Sequence, residues 1–240
     1  MRFPARIAAL LTLLLVVCPV LCFAQMEKVA SGDYEMSVYP DQAANPWTRI
    51  GDGAAILLDD GSLLINDNRS DDQVSFQTLL GQITASSRLV LSARLKALSN
   101  FDGKGSVLEF SRPHLQVALH FFADRMELVE MNPAGKWSWL ATVNVNFFDE
   151  FHEVKLVKNS SQEPDGELVG VWLDGTQVVL VQPKGGSRLE VGRVIMGATS
   201  RPSMGASIWD WVHYDLDGLS KGLPADTTSF GSLKAGFTSP

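Results

Sequence analysis

Apolar and polar residues alternate with a period of two through most of this chain, and no helical period is sustained over several turns before the C-terminal tail. In Leu115–Phe122, Leu115, Val117, Leu119 and Phe121 point one way and Gln116, Ala118, His120 and Phe122 the other. In Phe151–Lys158, Val154 and Leu156 face inward while Glu153 and Lys155 face outward. Further strands are predicted at Asp33–Tyr39, Ala54–Leu58, Ser62–Asn66, Val74–Leu80, Arg88–Ala97 and Ser106–Ser111. The series continues with Arg125–Met131, Trp137–Val143, Leu168–Leu173, Thr176–Val181, Arg193–Ala198 and Ser207–Leu216. The last of these carries bulk on both sides, with Ile208, Val212, Tyr214 and Leu216 on one and Trp209, Trp211 and His213 on the other. That is the pattern of a central strand.

Asp60-Gly61 and Asp174-Gly175 separate alternating runs, where glycine supplies the positive φ of a two-residue hairpin turn. Many short strands joined this way, each burying one face, predict an all-β sandwich of two antiparallel sheets. After Leu216 the composition shifts to Gly, Ser, Thr and Pro. Phe230, Leu233 and Phe237 recur there at spacings of three and four, which fits a short helix packed on the sandwich or a frayed tail.

The N-terminus breaks the pattern. Arg2 and Arg6 precede an apolar run from Ile7 to Cys22 that ends in Cys22-Phe23-Ala24, a signal-peptide arrangement with cleavage before Gln25. The run is about 16 residues, short of the roughly 20 that a membrane anchor needs. The expected organisation is therefore a signal peptide over 1–24, one domain over 25–216 and a tail over 217–240. The product is secreted or periplasmic, with no membrane association after cleavage. Both cysteines, Cys18 and Cys22, leave with the signal, so the domain has no disulfide or thiolate site. The formal charge is −7, and the leader removes two arginines and no acid. A surface for nucleic acid is excluded on that balance.

The order of several segments resembles the laminin-G-like branch of the concanavalin A-like lectin/glucanase superfamily. The carrying residues are Leu89–Lys96, Val107-Leu-Glu-Phe110, Phe151–Leu156, Val169-Gly-Val-Trp-Leu-Asp-Gly175 and Gly197. Ser207–Tyr214 is similar to the closing strand of that family, with Ile208, Asp210, Val212 and Tyr214 at matching positions. The resemblance implies a jelly-roll of two antiparallel sheets and a ligand on the concave one. It implies no single function, because the superfamily holds lectins, glycosidases and adhesion modules alike.

Sugar recognition needs flat aromatic surfaces and planar hydrogen-bonding groups. Gln116 and His120 share a non-core strand face, Trp137 and Trp139 share another, and Trp172 lies opposite Val171 and Leu173, which makes it an exposed aromatic. These five are the candidate ligand-binding residues for a glycan or polysaccharide. Glycosidases of the superfamily carry acids at alternate positions of one strand. Glu163-Pro-Asp-Gly-Glu167 has such a spacing, but Pro164 and Gly166 make it a loop that cannot hold carboxyls at fixed geometry. Glu109 falls on the face of Val107 and Ser111 without an acid partner and reads as a surface carboxylate, and Asp210 as an acceptor for turn amides. No catalytic residue is assigned. The histidines, His114, His120, His152 and His213, lie on separate segments and predict no metal site. Many superfamily members bind calcium, and the acidic loop Asn66–Asp72 offers oxygen ligands, but it lacks the glycine and terminal glutamate of an EF-hand loop. No cofactor is expected, with calcium the alternative. The expected function is non-catalytic carbohydrate binding. A glycosidase or polysaccharide lyase of the same fold is the first alternative, and an adhesive module without a sugar ligand the second.

Overall fold

The computed structural model describes residues 31–67, 73–81, 83, 88–99, 105–159, 167–187, 189, 191–199 and 205–216. Its strands are β1 (Ser31–Glu35), β2 (Thr48–Ile50), β3 (Ala54–Leu57), β4 (Leu63–Asp67), β5 (Val74–Gly81), β6 (Leu89–Ala97), β7 (Ser106–Arg112) and β8 (Leu115–Phe121). They continue as β9 (Arg125–Met131), β10 (Trp137–Asn144), β11 (His152–Lys158), β12 (Val169–Leu173), β13 (Thr176–Val181), β14 (Gly192–Ala198) and β15 (Gly205–Leu216). An eight-stranded sheet runs β13-β12-β11-β6-β15-β4-β3, with β1 also paired to β15, and a seven-stranded sheet runs β10-β9-β8-β7-β14-β5-β2. Every pairing is antiparallel. The two sheets make an all-β jelly-roll sandwich, as the alternation predicted. The short β2 and a single 3-10 turn at Pro40–Gln42 were not predicted. Among the described residues no helix is long and apolar enough to cross a membrane.

One apolar core lies between the sheets. Leu91, Leu95, Val154, Leu156, Trp209 and Val212 come from the larger sheet, and Phe76, Phe110, Val117, Leu119, Phe121 and Met196 from the smaller. Trp209 is fully buried; its ring meets Phe121 edge-on at 6.1 Å, and its indole N–H donates to Ser207 Oγ at 2.7 Å. A buried indole N–H left unpaired would cost on the order of 1–3 kcal/mol, and Ser207 removes that cost.

β15 is an interior strand, as expected, but its faces differ from the period-two reading. The register against β6 shifts between Trp209 and Trp211, so Asp210 is an extra residue in the ladder. The alternation reverses there. Trp209, Val212, Tyr214 and Leu216 therefore all point inward, and Trp211 and His213 point out.

Candidate functional site

The outer face of the seven-stranded sheet collects most of the sequence candidates. On β8, Leu115, Val117, Leu119 and Phe121 enter the core, which turns Gln116, Ala118 and His120 outward. On β7, Leu108 and Phe110 enter the core, which turns Val107, Glu109 and Ser111 outward. The ladder sets Glu109 opposite Ala118 on one side and Ile195 on the other. Ser111 lies opposite Gln116 and Arg193. Three polar groups, one from each of three strands, thus surround one carboxylate.

Glu109 is 3 % exposed, not the surface carboxylate the sequence suggested. Its Oε1 accepts from Gln116 Nε2 at 2.8 Å, Ser111 Oγ at 3.1 Å and Arg193 Nη2 at 3.1 Å. Arg193 Nε also donates to Ser111 Oγ at 3.2 Å. A buried carboxylate needs such company, because desolvation of a lone charge would cost several kcal/mol. Arg193 was not found from sequence. It stands 84 positions from Glu109, and only the pairing of β14 with β7 brings them together.

Beside this cluster, Ala118 presents a single methyl, and Trp137 packs over it together with Val107 and Val129. The Trp137 ring meets His120 edge-on at 6.1 Å. Trp139 lies opposite Val129, and the register then shifts between Trp139 and Ala141. This bulge turns Ala141 and Val143 inward and keeps both tryptophans outward. Trp139 is 62 % exposed, and its indole N–H donates to Thr142 Oγ1 at 3.0 Å, which fixes the ring on the edge strand. The structure therefore brings Gln116, His120, Trp137 and Trp139 onto one face, with the first two at its floor and Trp139 open to a partner.

Trp172 does not join them. It lies on the outer face of the eight-stranded sheet, on the opposite side of the sandwich. Val171 and Leu173 point to the core as read, but Trp172 is only 9 % exposed. It packs against Val90 and Val157, with Lys155 Nζ 5.5 Å from its ring centroid. Val90 of β6 and Val157 of β11 cover this outward side chain, which alternation within β12 alone does not reveal.

Other sequence candidates resolve differently. Glu163 lies outside the described residues. Glu167 pairs with Arg112 and, at 3.2 Å, with the fully buried Lys158 Nζ. Burial pushes the Lys158 ammonium down, with Arg112 adding to that and Glu167 opposing it. These residues tie the end of β7 in one sheet to the end of β11 in the other. Asp210 accepts from the Arg94 guanidinium rather than from turn amides, because the bulge aims it outward. His152 is held by Asp174 Oδ2 at 2.7 Å and the Asn146 carbonyl at 2.9 Å. Of the acidic loop, Asn66 and Asp67 close β4 and 68–72 lie outside the described residues, as does the tail from 217. A groove of about 760 Å³ sits past the end of β10, lined by Leu98, Ala123, Asp124, Asn144, Val145 and the exposed Phe148.

No family model matches this chain, and neither does any curated protein. Solved structures do resemble it in shape. A carbohydrate esterase from the Shiga toxin-encoding bacteriophage phi24B superposes with a TM-score of 0.56 at 14 % identity, over 77 % of this chain and 97 % of that one. The β-glucanase of Bacillus licheniformis gives 0.53 at 11 % identity, over 80 % and 99 %. The binding domain of botulinum neurotoxin serotype G gives 0.51 at 6 % identity, over 78 % of this chain and 47 % of that one, so the chain spans about half of that structure. Identities this low speak for the fold alone, and with the strand order above they show that this chain has the jelly-roll fold of the concanavalin A-like lectins and glucanases.

Proposed function

We propose that this is an exported, non-catalytic carbohydrate-binding protein whose glycan lies on the outer face of the seven-stranded sheet. The observation that carries the reading is Trp139, an indole mostly open to solvent and held in place by Thr142, next to Trp137 and the polar floor of Gln116 and His120. A rigid aromatic plane stacks on the apolar face of a sugar ring, and planar amide and imidazole groups match its hydroxyls. The shape likeness to a glucanase and a carbohydrate esterase supports a carbohydrate as the partner class.

The acids of that face favour binding over hydrolysis. Among its described residues they are Glu109 and Glu127, on strands two apart and offset by two residues. Glu109 is engaged by three donors, and Glu127 accepts from Arg125 Nε at 2.8 Å. Neither β7 nor β9 carries two outward acids at alternate positions.

A panel of polysaccharides in affinity electrophoresis tests the reading. Retardation by at least one, abolished by Trp139→Ala and without release of reducing ends or unsaturated sugars, is the expected result. Product release would make the protein an enzyme. A panel without a single retardation would favour the adhesive alternative.

A further inference from the structure

Of the Phe, Trp and Tyr side chains among the described residues, Trp139 and Phe148 are the two more than half open to solvent, at 62 % and 54 %. Trp139 lies near the start of β10 and Phe148 just past its end. Phe148 sits on an anchored turn. Phe147 before it is fully buried, its ring edge-on to Phe121 at 5.4 Å and to His152 at 5.0 Å. The Phe147 N–H donates to the Ala123 carbonyl at 2.8 Å, and the Phe148 N–H donates to Asn146 Oδ1 at 3.0 Å. A ring held open on a fixed backbone costs little ordering when a ligand meets it.

One strip of the seven-stranded sheet joins the two rings. Ala141, Val143 and Val145 turn to the core, which leaves Thr142 and Asn144 on the face of Trp139. They lie opposite Glu127 and Arg125 of β9. Arg125 Nε donates to Glu127 Oε1 at 2.8 Å and Nη1 to Asp124 Oδ1 at 3.0 Å, and its guanidinium stands 3.9 Å from the ring centroid of the buried Phe122. Past Asn144 the strip opens into the groove of about 760 Å³, where apolar Leu98, Ala123 and Val145 meet polar Asp124 and Asn144 and the open Phe148. Small-molecule sites of roughly 300–1,000 Å³ combine apolar and aromatic lining with a few polar groups in this way.

We propose that this groove is a second sugar subsite with Phe148 as its stacking plane, so that the protein takes an extended glycan laid along β10 rather than a single terminal sugar. The inference rests on the glycan-binding reading above and adds the length and direction of the ligand. Continuity carries it: Trp139, Thr142, Asn144 and Phe148 follow one another along a single stretch of chain, on the face and then at its end. The charges of the strip are engaged with each other, Arg125 with both Glu127 and Asp124. What it offers a ligand is two ring planes, an amide and a hydroxyl, which match a neutral polyhydroxyl chain. A chain long enough to reach both planes engages the second intramolecularly, so its affinity rises with length.

Titration calorimetry reads the outcome, with the polysaccharide that retards the wild type cut into short fragments of about two sugars and long ones of about six. The long fragment should bind about tenfold tighter than the short one. Phe148→Ala should erase most of that gain, keep the affinity for the short fragment within about twofold and leave the melting temperature unchanged, since the ring is mostly exposed. Phe148→Trp should restore the gain. Trp139→Ala should weaken both fragments. Equal affinity for the two lengths, or a Phe148→Ala variant that binds the long fragment as wild type does while Trp139→Ala fails to, overturns this inference and leaves the glycan-binding reading standing. A Phe148→Ala loss of the same size for both lengths also overturns it, because Phe148 would then not mark a separate subsite. A panel without retardation, or a Trp139→Ala variant indistinguishable from wild type on both fragments, overturns the reading and this inference with it.

Discussion

The two outer faces of the sandwich handle polar groups in opposite ways. On the seven-stranded sheet, donors from three strands converge on the Glu109 carboxylate, and the aromatic beyond them, Trp139, is left open. On the eight-stranded sheet, ladder pairing lays Asp33, His213, Ser92, Lys155 and Trp172 in one row across five strands. There His213 Nδ1 bonds to Asp33, yet His213 Nε2 and Ser92 Oγ are buried without a hydrogen-bond partner. Long cations lie over the rings of this face: Arg94 and Lys96 stand 4.9 and 5.1 Å from the Phe151 centroid, and Lys155 covers Trp172. A face that folds its cations onto its own aromatics has little aromatic surface left to offer. The face that spends its polar groups on one another keeps its tryptophan free.

Four substitutions test this contrast. Trp172→Ala should cost the most, about 3 kcal/mol for a large, nearly buried ring, and lower the melting temperature by roughly 6–12 °C with glycan binding retained. A small shift in melting with lost binding would reverse the roles of the two faces. Glu109→Ala should destabilise by about 2 kcal/mol, because Arg193, Gln116 and Ser111 lose a shared acceptor. Urea denaturation would show it as a lower midpoint, with Glu109→Gln intermediate. Trp139→Ala should change stability by less than about 0.5 kcal/mol and weaken glycan binding about tenfold or more. Equal losses of stability in Trp139→Ala and Trp172→Ala would erase the distinction. Ser92→Ala should be neutral or stabilising within about 1 kcal/mol, since it removes a buried hydroxyl without a bond. A clear loss in thermal melts would mean that this hydroxyl is satisfied in solution.

Much of the architecture was legible because it is local. The faces of β8 and β11 followed from alternation, and Asp174 and Gly175 take positive φ of 49° and 78° at the hairpin where an Asp-Gly pair was seen. Where the reading went wrong, the cause was an added residue or a distant neighbour. The bulge at Asp210 moved Trp209 into the core and Asp210 out to Arg94. Arg193 reached Glu109 only through a ladder, and Trp172 lost its exposure to Val90 and Val157 from other strands.

The order of residues along the chain is enough to say that it makes strands, where they turn, and which side chains leave each strand on the same side. Those are consequences of a backbone pleat that repeats every two residues. Tertiary structure alone decided which strands became neighbours, and so which outward side chains meet: Glu109 with Arg193, Trp137 with His120, Trp172 with none of these. Pairing between distant segments depends on burying the whole core at once, and that balance is not written in any one strand.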